Sequence, residues 1–94
     1  MALLDLLGRR WALRVLWELR VDDGPRFREL QARCGGISSS VLSERLRELR
    51  EAGIVVAAGG EGYRLSSEGH TLLAALEPVD DWAGRWARRS AKRS

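Results

Sequence analysis

The chain has 94 residues, 45% of them apolar and 31% charged, with 16 basic and 13 acidic side chains for a net charge of +3. Those values describe one folded domain with one hydrophobic core and exclude both a disordered tract and a two-domain architecture. The lone cysteine, Cys34, excludes an intrachain disulfide framework and suits a reducing cytosol, so the expected location is cytoplasmic.

The charge is unevenly placed. The last ten residues carry Arg85, Arg88, Arg89, Lys92 and Arg93 and no acid, which leaves 11 basic against 13 acidic residues in the remainder. The body is therefore not broadly basic, and any grip on nucleic acid must come from local patches. At the other end, Ala2-Leu3-Leu4 is cut short by Asp5 with no basic region ahead of an apolar run, so no signal peptide is expected. No window approaches the roughly 18 uninterrupted apolar residues of a membrane span.

Apolar residues at Leu3, Leu4, Leu7, Trp11, Val15 and Leu19 recur at helical spacing, which predicts helix from Leu3 to Val21. Gly8 inside that pattern predicts a bend or a break. Arg9, Arg10, Arg14 and Arg20 take the opposite side, either as solvated surface or, for Arg9 and Arg10, as phosphate contacts. Val21-Asp22-Asp23-Gly24-Pro25 has the composition of a turn. Arg26-Phe27-Arg28 is a very short strand or the lead-in to a second helix, on which Phe27, Leu30 and Cys34 share one face. Cys34 thus reads as a small core residue, with a redox-sensing thiol as the sharper alternative.

Gly35 and Gly36 end that helix, and Ser38 is the best N-cap for the next one, which is predicted from Ser39 to Ala52. Leu42, Leu46 and Leu49 form its apolar stripe, with Val41 and Arg45 on one flank. Ser40, Glu44, Arg47 and Glu51 fall opposite, with Ser43 and Arg50 beside them. That face is either plain solvated surface or a reading surface. Small hydroxyl residues at Ser38, Ser39, Ser40 and Ser43 would let the backbone approach phosphates or base edges closely. Arg47 lies where it can reach a guanine edge or a phosphate, and Glu44 either accepts from a cytosine amino group or orients Arg47.

Gly53 stops this helix. Ile54 to Ala58 and Tyr63-Arg64-Leu65 predict a hairpin around Gly59-Gly60-Glu61-Gly62, a short wing carrying Arg64. Leu72, Leu73, Leu76, Val79, Trp82 and Trp86 then repeat at helical spacing, with Ser66 or Ser67 as cap and Pro78 expected to kink the run or divide it. His70 is the only histidine and lacks partners for a metal site or a catalytic dyad. Four tryptophans (Trp11, Trp17, Trp82, Trp86) exceed what one small core needs. Large aromatics near both ends point to a dimer interface built from Leu4, Leu7, Trp11, Leu76, Val79, Trp82 and Trp86, the alternative being that Trp82 and Trp86 fold back onto the same monomer.

The expected fold is mainly α with a small β-hairpin. It is a winged helix-turn-helix with N-terminal helices over 3–24, the helix-turn-helix over 25–53 and the wing over 54–65. C-terminal dimerisation helices over 67–90 and a basic tail over 85–94 complete it.

Leu-Gly-Arg-Arg-Trp-Ala-Leu (7–13), Gly-Pro-Arg-Phe-Arg-Glu-Leu (24–30), Gly-Ile-Ser-Ser-Ser-Val-Leu-Ser-Glu-Arg-Leu-Arg-Glu-Leu (36–49), Ala-Gly-Ile-Val (52–55) and Tyr-Arg-Leu-Ser-Ser-Glu-Gly (63–69) resemble the HxlR-type winged helix-turn-helix regulators, relatives of the MarR group. The resemblance covers roughly residues 3–86, most specifically 24–55. It implies a bacterial or archaeal cytoplasmic transcription factor that binds double-stranded DNA at an imperfect palindrome as a homodimer joined through terminal helices. By position, Ser40, Ser43, Glu44 and Arg47 match the recognition-helix contacts, Ser39 stands where relatives often have proline, and Arg64 falls in the wing. Two departures stand out: the N-terminal cysteine of the thiol-sensing members is absent, and the wing is trimmed to Gly-Gly-Glu-Gly.

The expected function is a dimeric, sequence-specific DNA-binding regulator without a metal or cofactor. A small-molecule effector has room between the tryptophan-bearing helices, although core packing is the other use of that space. A winged-helix module that binds protein and not DNA is the competing class, supported by the near-neutral body and the clipped wing. No carboxylate pair, metal-ligand cluster or phosphate loop points to an enzyme.

Overall fold

The computed structural model describes residues 3–93, and the side chains of Lys92 and Arg93, with Ser94, lie outside what is described of the basic tail. The elements in chain order are α1 (Leu3–Leu7), α2 (Ala12–Glu18), α3 (Phe27–Cys34), α4 (Ser39–Glu51), β1 (Val55–Ala57), β2 (Tyr63–Leu65) and α5 (Ser67–Arg93). The fold is thus mostly helical with one antiparallel hairpin, a winged helix-turn-helix. Among the described residues no helix is long and apolar enough to cross a membrane.

The helical stretch read over Leu3 to Val21, with a bend or break expected at Gly8, is two helices. The Gly8 N–H bonds the Leu4 carbonyl at 2.9 Å and closes α1, and the chain then turns through Trp11 at φ 77° before α2 begins. That left-handed residue strains an indole-bearing backbone. In return the Trp11 side chain packs against the core beside the Gly36 turn. α2 ends three residues short of Val21, because Leu19 tightens into bonds with both Val15 and Leu16 and Asp22 adopts φ 62°.

The core is a contiguous cluster in which Leu16, Leu19, Leu30, Leu42, Leu49, Val15, Val55 and Cys34 are the most deeply buried side chains. Each helix contributes one stripe, so the amphipathic periods of α2, α3 and α4 converge on one interior. The Cys34 thiol is 2% exposed, and burial pushes it above its ordinary pKa. A thiolate is thereby disfavoured, which fits the core reading of this residue and not the sensing alternative.

Arg26-Phe27 resolves as both options. Arg26 bridges Gly62, the Tyr63 N–H bonds the Pro25 carbonyl at 2.9 Å, and Phe27 then opens α3. The hairpin pairs Val55 with Leu65, Val56 with Arg64 and Ala57 with Tyr63. This register turns Val55 and Leu65 into the core and leaves Arg64 exposed.

The junction between hairpin and α5 is closely built. The Ser66 hydroxyl accepts from the Gly69 N–H at 3.0 Å and donates to the Gly53 carbonyl at 2.6 Å. Gly69 lies so near the Ile54 carbonyl that any Cβ there would collide with it. Pro78 does not divide α5, which runs unbroken across it. Ala74, whose carbonyl loses its partner to the proline, lies on exposed helix surface where water can replace the missing donor.

Candidate nucleic-acid interface

Two successive contacts set the angle between α3 and α4. The Gln31 amide on α3 donates to the Ile37 carbonyl at 3.2 Å and to the Ser39 hydroxyl at 3.1 Å. Ser38 caps α4, its hydroxyl accepting from the Val41 N–H at 3.2 Å and lying 3.3 Å from the Ser40 hydroxyl. Ser38 is the expected N-cap, and its hydroxyl is occupied with the helix end. Ser38 and Ser39 therefore hold the turn, while Ser40, Ser43, Glu44 and Arg47 make the outward face, all exposed. Arg64 is exposed on β2, so the structure puts it on the wing and not on α4. A furrow of about 310 Å³ between α4 and the wing is lined by Ser43, Arg47, Arg50, Glu51 and Tyr63.

Arg47 is not free on that face. Its guanidinium donates to Glu51 Oε1 at 2.9 Å and to Glu44 Oε1. The hydrogen bond to Glu44 leads in raising the Arg47 pKa, with Glu51 next, and the same bond holds the Glu44 carboxyl below its ordinary range. The face thus sets one guanidinium between two carboxylates.

The reading from sequence missed Glu48. It sits on α4 beside Val41 and Arg45, 5% exposed, with Arg9 Nε at 2.8 Å from one carboxylate oxygen and Arg45 Nε at 3.1 Å from the other. Neither contact meets hydrogen-bonding angles, so the carboxylate is held by charge at close range. Arg9, a candidate phosphate contact from sequence, is committed to this cluster, which fastens the α1–α2 loop to the back of α4. The signal was available, since Glu48 follows Arg45 by one helical turn on the flank of the leucine stripe.

The candidate dimer residues fall into two groups. Leu7 and Trp11 are half-buried against this chain's own core, and Leu76 is half-buried on α5. Leu4, Val79, Trp82 and Trp86 are exposed by 80%, 59%, 52% and 54%, and the last two rings stack with centroids 6.4 Å apart. Among the α5 side chains described from Glu77 onward, only Ala83 and Gly84 are even half-buried, so this part of the helix extends past the core.

Comparison with known proteins agrees with this architecture. The family model described as HxlR-like helix-turn-helix matches residues 6–91. The chain is 32% identical over 88 residues to YvaP of Bacillus subtilis, described as an uncharacterized HTH-type transcriptional regulator, covering 87% of this chain and 81% of YvaP. The quinone-bound structure of YodB from B. subtilis superposes with a TM-score of 0.77 at 33% identity, covering 86% of this chain and 89% of that one. A MarR-family regulator from Enterococcus faecalis V583 gives a TM-score of 0.79 at 29% identity, over 95% of this chain and 86% of the other.

Proposed function

The chain belongs to the HxlR-like helix-turn-helix family of transcriptional regulators, and on that premise we propose that it binds double-stranded DNA as a homodimer on an imperfect palindrome, one α4 to each half-site. The observation that carries this reading is the outward face of α4. Ser40, Ser43, Glu44 and Arg47 are exposed together, free of large apolar side chains, on a helix braced from behind by the core and by Glu48. Such a helix presents its first turns to base edges in a major groove, with the capped N-terminus toward phosphate. Ser38 and Ser39 fix its entry angle, and Arg64 adds a wing contact. The exposed Leu4, Val79, Trp82 and Trp86 supply the surface for the second copy, extended by Leu7, Trp11 and Leu76 where they reach the rim.

A duplex selected from a random DNA pool provides the matched site. Arg47→Ala is expected to weaken binding to it by about 1–3 kcal/mol, with a much smaller change on unmatched duplex, measured by fluorescence anisotropy. Arg85, Arg88 and Arg89 of α5 should contribute sequence-independent affinity, steepening the salt dependence by about 0.9 in log–log slope for each phosphate neutralised. The near-neutral body and short wing favour a second reading, a protein-binding module. Unchanged DNA binding in Arg47→Ala would support it. For a small-molecule effector, the cleft of about 840 Å³ between α2 and α5, floored by Trp17, Leu73 and Leu76, is the space available.

A further inference from the structure

A helix that reads DNA must avoid holding every duplex it meets, and α4 carries charge arranged for that purpose. Arg47 is the cation at the middle of its outward face, yet both of its terminal nitrogens are already engaged, one by Glu44 a turn before it and one by Glu51 a turn after. Neither acid is part of the core, since both are exposed. Arg50, which lines the same furrow as Arg47, has no such pair of carboxylates around it among the described contacts.

We infer that Glu44 and Glu51 restrain Arg47 so that unmatched DNA cannot recruit it, and thereby set how sharply α4 prefers its site. The inference rests on α4 being the recognition helix. A phosphate offers the guanidinium nothing that the two carboxylates do not already supply, and approaching it brings two anions beside the DNA backbone. A guanine edge offers two parallel acceptors, O6 and N7, in the plane of the guanidinium. That exchange returns both hydrogen bonds without setting a further anion against Glu44 and Glu51, as a phosphate would, and it frees Glu44 to accept from a neighbouring cytosine amino group. The restraint therefore lowers affinity for random sequence more than affinity for the matched site, which is a gain in specificity by repulsion.

Glu51→Gln keeps the side-chain shape and removes one anion. It should tighten binding to unmatched duplex by about 3- to 10-fold at low salt, the scale of losing one exposed ion pair together with its repulsion of phosphate. Binding to the matched duplex should change by less than half of that factor, so the ratio of the two affinities falls. Two controls decide the cause. Glu77→Gln on α5 makes the same change in net charge away from α4 and should leave the ratio alone. Glu51→Gln in an Arg47→Ala background should have a clearly smaller effect, because only the repulsion of phosphate is then left to lose. A ratio unchanged by Glu51→Gln, an equal change from Glu77→Gln, or a full effect without Arg47 would each overturn the restraint. If Arg47→Ala alone leaves matched binding intact, the reading of α4 fails and the restraint fails with it. An intact Arg47 effect beside an unchanged ratio removes the restraint only.

Discussion

Trp82→Ala combined with Trp86→Ala is expected to convert the protein from dimer to monomer at micromolar concentration in sedimentation equilibrium. The two rings are about half exposed and stack on one another with no core beneath them. Their loss should leave the helix-turn-helix folded, with near-native helical circular dichroism. In a two-fold interface the double variant deletes four indoles, each worth 150–250 Å² of contact surface in the general case. The consequence for DNA is larger than for any single base contact. Two linked half-sites bind with an effective-concentration advantage of about 10²–10⁴, so affinity for the full palindrome should fall by at least ~100-fold while affinity for one half-site is preserved. Sedimentation of the unaltered chain as a monomer at tens of micromolar would remove the dimer outright.

Glu48→Ala is the second large effect. Two guanidiniums converge on this buried carboxylate, and Arg45 is itself only 13% exposed at its side chain. Arg9 is 45% exposed and can swing into water when its partner disappears, but Arg45 is left facing the interior without a counter-ion. Removing one member of a buried ion cluster in this way costs about 3 kcal/mol. For a domain of this size that is a fall in Tm of roughly 12–24 °C, readable by thermal circular dichroism at fixed protein concentration. Glu48→Asp, which keeps the charge on a shorter arm, should recover part of the loss. A Tm within about 3 °C of the unaltered chain for Glu48→Ala would show that the cluster is not held together as a unit.

The elements around the turn were legible in the residues because local chemistry decides them. Ser38 caps, Gly35 takes the left-handed turn at φ 61° and the leucine stripe of α4 has one period. The hairpin followed from β-branched residues on one side of a glycine cluster. Two other features were decided by contacts distant in the chain. Arg9 and Glu48 are 39 positions apart, and although helical spacing pairs Glu48 with Arg45, nothing local brings Arg9 to them. The break after α1 was legible at Gly8, but its length was set by Trp11 reaching the core. Of the two outcomes expected at Pro78, a kink or a division, the division did not occur, for a related reason. The rule against proline inside a helix assumes that the orphaned carbonyl has nowhere to go, and on exposed surface it has water. The pairing of Arg47 with both Glu44 and Glu51 follows from helical spacing alone and was open to a reader of the sequence.

The Ser66 hydroxyl joins the Gly53 carbonyl in the turn after α4 to the Gly69 N–H in the first turn of α5. Gly69 lets the two backbones touch directly behind it. The helix proposed to meet DNA and the helix proposed to meet a second copy are therefore pinned together within a few ångströms of a common pivot. In a two-fold assembly the pivot acts as a protractor. A tilt of about 10° there, acting over a lever of about 20 Å, would carry each α4 by roughly 3.5 Å, close to the rise of one base pair. In such an assembly the spacing between half-sites would depend on this corner of the fold, and a one-methyl change at residue 69 would be expected to act on the length of the preferred palindrome without touching its letters.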